Sequence, residues 1–167
     1  MIVVCNSSVI LSLSAIDKMH LLWRIFDEIY VPTAVYHEVC IKGKSCVGSH
    51  ELENAVRSGR IKVMKPKNTL LVESLIGPLG RGEAEAIVLG IELSADYVCI
   101  DEKLARRKAK QMGVKVKGTL GILWEALKRG LISSKEFRKS IDALEDFGFR
   151  IEKNIVMNYL RKLKTKD

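Results

Sequence analysis

The sequence predicts an α/β fold: a three-layer α/β/α domain built on a central twisted parallel sheet and followed by a C-terminal helical extension. Short apolar runs typical of buried strands alternate with longer helix-like runs along the 167 residues, and this alternation favours a parallel sheet. Two of the apolar runs, residues 2–5 and 97–100, stop abruptly at Asn6 and Asp101. Because ligands bind at the carboxyl edge of such sheets, these two polar residues indicate a site there.

Cap and turn residues set the predicted elements of the first half of the chain. Ser7 and Ser8 can cap the first helix, and Pro32 suits the first turn of a later one. Gly59 suits the position just after a helix. The predicted order is strand 2–5, helix 8–16, helix 17–26, strand 28–31, helix 32–41, loop 42–49, helix 51–58, strand 61–64 and helix 69–76.

The second half begins after a break at Gly77-Pro78-Leu79-Gly80. The next helix is apolar nearly all round and is therefore predicted to be buried. The predicted order is helix 82–93, strand 97–100, helix 102–112, strand 114–116, helix 118–129, helix 133–148, an extended segment at 149–151 and helix 152–164. We assign residues 1–132 to the main domain and residues 133–167 to a helical extension packed on it.

The charge balance favours a polyanionic partner. The chain has 28 Lys and Arg against 20 Asp and Glu, a formal net charge of +8, which is typical of nucleic-acid-binding proteins but also fits an ordinary charged surface. No apolar run approaches the ~20 residues that span a membrane, and no secretory signal is visible. We therefore expect a cytoplasmic protein.

Four acidic residues are candidates for one cluster. Glu38 lies on the apolar face of its helix, Glu83 and Glu85 begin the buried helix, and Asp101 directly follows a strand. Each has a simpler explanation: an ion pair at the rim of the core, a favourable helix dipole or a helix N-cap. Together, carboxylates placed close to one another repel, and a hard cation such as Mg²⁺ or Mn²⁺ would relieve that repulsion.

Basic residues follow the last of these acids. Lys103, Arg106 and Arg107 lie on one predicted helix and could contact RNA phosphates beside a metal-binding cluster. The alternative is a solvated helix face.

A second metal site is possible. His37, Cys40, Cys46 and His50 supply two thiols and two imidazoles, although their spacing is not that of a standard zinc finger. A disulfide between Cys40 and Cys46 is a further alternative.

The order of these motifs resembles that of PIN-domain proteins, close to the VapC-like toxin ribonucleases of prokaryotic toxin–antitoxin pairs. The resemblance covers residues 1–132, and the remainder is similar to the helical extension of one PIN subgroup. It is carried by residues 3–8, 31–39, 80–87, 100–106, 118–123 and 126–132.

The resemblance implies Mg²⁺- or Mn²⁺-dependent cleavage of RNA, a homodimer and a small antitoxin protein as partner. The implied catalytic residues are Glu38, Glu83 and Asp101, with Glu85 as a further metal ligand. Thr119 matches a polar residue near the metal.

Asn6 stands where the PIN pattern normally has Asp. Its carbonyl oxygen can still ligate an ion but brings no charge, so the alternative is a weak or inactive module that binds RNA or a protein partner. Ser8 could hydrogen-bond a metal-bound water or simply cap its helix.

Overall fold

A computed structural model describes residues 1–164 and shows the predicted parallel sheet. The five strands are hydrogen-bonded in the order β3-β2-β1-β4-β5, and every pair is parallel. Since successive parallel strands are joined by helical crossovers, all five carboxyl ends meet at one edge. The strands are β1 (Ile2–Cys5), β2 (Glu28–Pro32), β3 (Lys62–Met64), β4 (Tyr97–Cys99) and β5 (Val116–Lys117).

Ten helices surround this sheet in the described part of the chain, at or near the positions that the sequence predicts. In chain order they are α1 (Ser7–Ala15), α2 (Leu21–Ile25), α3 (Thr33–Tyr36), α4 (Ser49–Arg57), α5 (Thr69–Leu75), α6 (Arg81–Glu92), α7 (Lys103–Gln111), α8 (Thr119–Lys128), α9 (Ser134–Asp146) and α10 (Lys153–Lys164). The helix α3 continues as a wider π-helical stretch over His37–Lys42.

Two elements begin at residues other than those expected from the sequence. The helix expected from residue 17 begins at Leu21, because Asp17 adopts a left-handed φ of 54° and closes the end of α1. The strand expected at 114–116 is formed by Val116–Lys117. Residues 149–151 form no strand.

Alternation along the strands divides the core into two clusters, one on each face of the sheet. Val3 and Cys5 of β1 point to the face covered by α1, α2, α8 and α9, whereas Val4 points to the face covered by α5, α6 and α7. The fold is therefore the predicted three-layer α/β/α arrangement.

The helices after residue 132 pack on the first of these faces. Phe137 of α9 is fully buried, and its ring meets Trp124 of α8 and Tyr159 of α10 edge-on. A capping box between Ser133 and Glu136 fixes the start of α9. None of the helices within residues 1–164 has the length and apolar character needed to cross a bilayer.

The close approach of α6 to the sheet generates a stability prediction. A Cβ added at Gly90 would lie 2.2 Å from Cγ2 of the buried Val98, so Gly90→Ala should force the helix away from β4. We expect the free energy of unfolding in urea to fall by about 1–3 kcal/mol, the usual cost of overpacking a core.

Gly121→Ala is the matched control, because it is also a helical glycine but meets only the flexible Lys117 side chain, at 3.0 Å. Replacing a helical glycine by alanine in open surroundings stabilises by up to ~1 kcal/mol. Equal stability of the two variants would contradict the close packing of α6.

Candidate functional site

An open cleft of about 880 Å³ lies at the carboxyl edge of the sheet. Its acidic part combines residues from the end of β1, the π-helical stretch, the first turn of α6 and the segment after β4. We call it the acidic cleft. Its amide and carboxylate residues are Asn6, Glu38, Glu83, Glu85 and Glu102.

Asn6 is at the centre of this edge and is 1% exposed. Its backbone N–H donates to the carbonyl of Cys99 at 3.0 Å, which ties the end of β1 to the end of β4. Its Nδ2 donates to Oε2 of Glu102 at 3.4 Å, and its Oδ1 accepts from the hydroxyl of Ser7 at the same distance. The amide is thus oriented with its nitrogen towards the carboxylate, which a second carboxylate could not achieve without repulsion.

Gly82 allows Glu38 and Asn6 to converge. A Cβ at this position would lie 3.2 Å from Oε2 of Glu38 and 3.5 Å from Oδ1 of Asn6. A side chain at this position would therefore crowd the space that the Glu38 oxygen faces. The exposed carboxylate of Glu38 reaches this space from the helical stretch after α3.

Glu83 lies beside Gly82 in the first turn of α6. Its Oε2 accepts from the N–H of Gly80 at 2.9 Å, which is the helix-capping role that its position predicts. Partial burial raises the pKa of its carboxyl group above the ordinary value of 4.5, and the charges of Glu102 and Glu38 raise it further. The neighbouring carboxylates are thus close enough to oppose one another's ionisation.

Glu85 is buried deeper and has a structural partner. Its Oε2 accepts from the N–H of Ala34 at 3.0 Å, so the carboxylate caps the start of α3 and faces the positive end of that helix. It borders the acidic cleft while one of its oxygens holds α3 against α6.

Asp101 lies on the other side of the strand end from the acidic cleft. Its Oδ1 accepts from the backbone N–H of Thr119 at 2.8 Å and its Oδ2 from the Thr119 hydroxyl at 2.7 Å. Burial raises the pKa of Asp101, whereas the two bonds from Thr119 lower it. Both oxygens therefore cap α8, and the carboxylate borders a second groove together with Gly118 and Trp124.

Glu102, which is not among the residues predicted from the sequence, lines the acidic cleft instead. The chain is extended at this residue, with φ −64° and ψ 128°, before α7 begins. Consecutive side chains of extended backbone point to opposite sides, so Asp101 and Glu102 face different clefts. That alternation is the signal that could have identified Glu102.

Ser8 and Thr119 are positioned by Asp101 rather than by the acidic cleft. The hydroxyl of Ser8 accepts from the N–H of Asp101 at 3.4 Å, and α1 has no side-chain cap bond. Thr119 is fully buried and donates both of its bonds to Asp101. Both residues hold the end of β4 in place.

The three predicted phosphate-binding cations lie on α7, away from the lining of the acidic cleft. Lys103 forms an ion pair with Glu152, Arg106 donates to the carbonyl of Ile100 at 2.7 Å, and Arg107 is exposed. Among the described residues, the cations that line the cleft are Lys42, Lys65 and Arg81.

The four candidate zinc ligands are not brought together. Cys40 is buried, its Sγ lies 3.6 Å from the carbonyl oxygen of Ser49, and burial raises the pKa of its thiol to about 11. Cys46 is exposed, and His37 lines the acidic cleft. Both cysteines are free thiols, so the disulfide is not formed, and in the described part of the chain no three of the candidate zinc ligands, His50 included, lie together.

The donors of the acidic cleft suit a hard cation by their chemistry. All are oxygens of carboxylate or amide groups, which Mg²⁺ and Mn²⁺ prefer. The pKa of Glu83 is raised chiefly by burial and further by the charges of Glu102 and Glu38, and a cation would relieve this second, repulsive part. Within residues 1–164, however, no three His, Cys, Asp or Glu side chains are already close enough to hold an ion. Binding would therefore require the side chains of Glu38 and Glu83 to turn towards Asn6 and Glu102, which are already in contact.

Comparison with protein families gives one match over nearly the whole sequence. Residues 2–165 match the family model DUF3368, which describes a PIN domain. No curated protein matches the chain.

The raised pKa of Glu83 generates a prediction about pH. The folded protein holds this proton more tightly than the unfolded chain does, so ionisation of Glu83 opposes folding. The free energy of unfolding of the wild type therefore falls as the pH rises from 4.5 through the raised pKa of Glu83. Glu83→Gln removes this loss. We expect the free energy of unfolding of the variant to rise relative to that of the wild type between pH 4 and pH 7.

Urea unfolding in the presence of a chelator at a series of pH values measures this difference. Glu145→Gln is the control, since Glu145 is an exposed glutamate on α9. A difference between Glu83→Gln and wild type that does not change with pH would contradict the assignment.

Proposed function

From the premise that this chain belongs to the PIN-domain family, whose members are generally nucleases, we propose that it is a divalent-metal-dependent endoribonuclease. The observation that carries the proposal is the acidic cleft, which is lined by Glu38, Glu83 and Glu102 together with the buried amide of Asn6. A cluster of oxygen donors at the carboxyl edge of a parallel sheet is suited to metal-assisted hydrolysis of a phosphodiester.

In this proposal Asn6, Glu38, Glu83 and Glu102 hold the ion, and Glu102 takes the place that the sequence suggested for Asp101. The ion supplies an activated water and stabilises charge on the phosphate oxygens. Glu85 keeps α3 on α6, and Asp101 holds the start of α8 through Thr119. These two acids act as positioning residues.

The cations of the cleft support an anionic substrate. Lys42 and Lys65 are exposed and form no ion pair with a described residue, whereas Arg81 is paired with Glu73 at 2.9 Å. The two lysines are therefore available to neutralise phosphates on either side of the cleaved bond.

The resemblance to VapC-like toxins supports a finer proposal, that the chain is the toxin of a toxin–antitoxin pair, forms a homodimer and is silenced by a small antitoxin protein. Light scattering would measure the dimer. Co-purification with the product of a neighbouring short reading frame would test the antitoxin.

Asn6 favours a second candidate function, a module that binds RNA or a protein partner without cutting. The amide donates a hydrogen bond to Glu102 at 3.4 Å and brings no negative charge to the cleft, so one carboxylate has a partner without a metal and the donor set is less anionic than one with Asp at this position. Under this alternative the protein binds RNA but cleaves none with either ion.

Cleavage of RNA by the purified protein tests the leading proposal. We expect activity with Mn²⁺ or Mg²⁺ and none with a chelator. Glu83→Gln and Glu102→Gln should each lower the rate by about a hundredfold or more, the usual loss when a group that stabilises the transition state is removed.

Asp101→Asn is the informative comparison. Because Asp101 acts through Thr119, we expect a loss of about tenfold, smaller than that of Glu102→Gln, and Glu145→Gln should leave the rate unchanged. A larger loss in Asp101→Asn than in Glu102→Gln would reverse the assignment of the two acids. Equal rates with and without chelator would remove the metal from the proposal.

Asn6→Asp tests the donor set without measuring activity. The substitution places a carboxylate opposite Glu102, so we expect a lower midpoint of thermal unfolding in chelator, because the two charges repel. Adding Mn²⁺ should raise the midpoint of the variant more than that of the wild type, since an added charge tightens metal binding and ligand binding stabilises the fold. An equal Mn²⁺ response would exclude Asn6 from the metal site.

A further inference from the structure

A second groove of about 440 Å³ lies on the far side of the strand end from the acidic cleft. It runs between β5, α8 and the chain around α10, and we call it the aromatic groove. Residues 101 and 102 separate the two openings, since Asp101 borders the groove and Glu102 the acidic cleft. The residues of the groove used below are Tyr97, Arg106, Lys117, Trp124, Arg150 and Tyr159.

Aromatic side chains held in place form its wall. The ring centroids of Trp124 and Tyr159 lie 4.9 Å apart, with the ring planes at an angle of 33°. The ring centroid of Phe137 lies 6.1 Å from that of Trp124. Trp124, Tyr159 and Tyr97 all remain partly exposed. Rings fixed by neighbours offer surfaces for stacking with little further loss of side-chain freedom.

The acids that border the groove already have partners. Glu125 pairs with Lys128 and Arg129, Glu152 pairs with Lys103, and Asp101 accepts two bonds from Thr119. The carboxylates are therefore engaged by groups of the protein itself.

Three cations that border the groove, Lys117, Arg106 and Arg150, form no salt bridge with a described residue. The Nζ of Lys117 lies 4.4 Å from the ring centroid of Tyr97, and Arg106 is held against the carbonyl of Ile100 by Nη1 alone. Arg150 is exposed and forms no ion pair with a described residue. Positive charge beside aromatic faces is the arrangement that binds a planar group carrying a phosphate.

The groove is also continuous with a basic surface on α7. Lys103 and Arg106 border both the groove and a shallow depression lined by Arg107, Lys110 and Gln111. This depression has no acidic residue among its described lining residues, so it favours successive phosphates of a polyanion.

We propose that the aromatic groove binds one nucleotide of the RNA strand adjacent to the cleaved bond, with its base against the wall formed by Tyr97, Trp124 and Tyr159 and its phosphate near Lys117. The identity of the ligand as RNA rests on the proposed function. Stacking on aromatic rings tolerates all four bases, so this subsite contributes affinity and register rather than a base sequence.

The fluorescence of Trp124 tests the proposal. The chain has two tryptophans, and Trp23→Phe leaves Trp124 as the reporter in an otherwise full chain. Titration with an oligouridylate of about eight nucleotides is done in chelator, so that no cleavage is required. We expect saturable quenching, and no quenching by inorganic polyphosphate, which has charge but no base.

Lys117→Gln and Lys115→Gln form the matched pair of variants. Lys115 is an exposed lysine two residues earlier, beside Gly90 and Asp96 in a different depression. We expect Lys117→Gln to weaken oligouridylate binding about tenfold and to reduce the salt dependence of the binding constant by about one phosphate contact. Lys115→Gln should change neither quantity.

Tyr97→Leu gives a second, uncharged test and should weaken binding about tenfold by removing one stacking surface. Circular dichroism checks that it is folded, and Lys117→Gln carries the test if it is not. Three results would each overturn the proposal. Lys117→Gln and Lys115→Gln could have equal effects, polyphosphate could quench as strongly as oligouridylate, or the fluorescence could fall with protein concentration in the absence of RNA. The last result would identify the groove as a contact between copies of the chain.

The proposed cleavage reaction can be tested independently of nucleotide binding in the aromatic groove. Glu102→Gln should lower the cleavage rate by about a hundredfold or more yet retain quenching by oligouridylate, because Glu102 faces the other cleft. Quenching with no metal-dependent cleavage in the wild type would support the groove and reject the nuclease proposal.

Discussion

The hydrogen bond from the N–H of Asn6 to the carbonyl of Cys99 fixes the edge of the sheet on which the rest of the site depends. It extends the parallel register of β1 and β4 by one residue beyond their last paired positions. The chain segments after both strands therefore leave the sheet side by side. This bond therefore fixes the position of the segment that carries Glu102 with respect to Asn6.

Glycine determines how closely the acidic groups approach that edge. Gly82 leaves the space faced by Glu38 and Asn6, and Gly90, two turns later, lets the same helix lie directly on Val98. The helix α6 thus combines a close-packed face with a first turn that carries Glu83 and Glu85. The packing that buries the helix also partly buries Glu83, and this burial is the main reason that the pKa of its carboxyl group is raised.

The acids of this protein divide between structural and proposed chemical roles by their hydrogen-bond partners. Glu85 and Asp101 each cap a helix, α3 and α8 respectively. Glu38 and Glu102 remain in the open cleft, and Glu102 accepts only a long bond from the Asn6 amide. A helix N-cap and a metal ligand require the same residue type at the same point of a sequence, which is why the pattern alone assigned Asp101 to the metal.

The sequence by itself determined the α/β class, the parallel sheet, nearly every helix and the edge at which Asn6, Glu38 and Glu83 meet, because hydrophobic periodicity and cap residues are local signals. It could not determine which of Asp101 and Glu102 enters the acidic cleft, nor that Lys103 and Arg106 border a separate groove. Those outcomes depend on the extended backbone at residue 102 and on the distant partners Thr119, Ile100 and Glu152. Only the tertiary structure brings such partners together, since no local pattern encodes contacts between residues far apart in the chain.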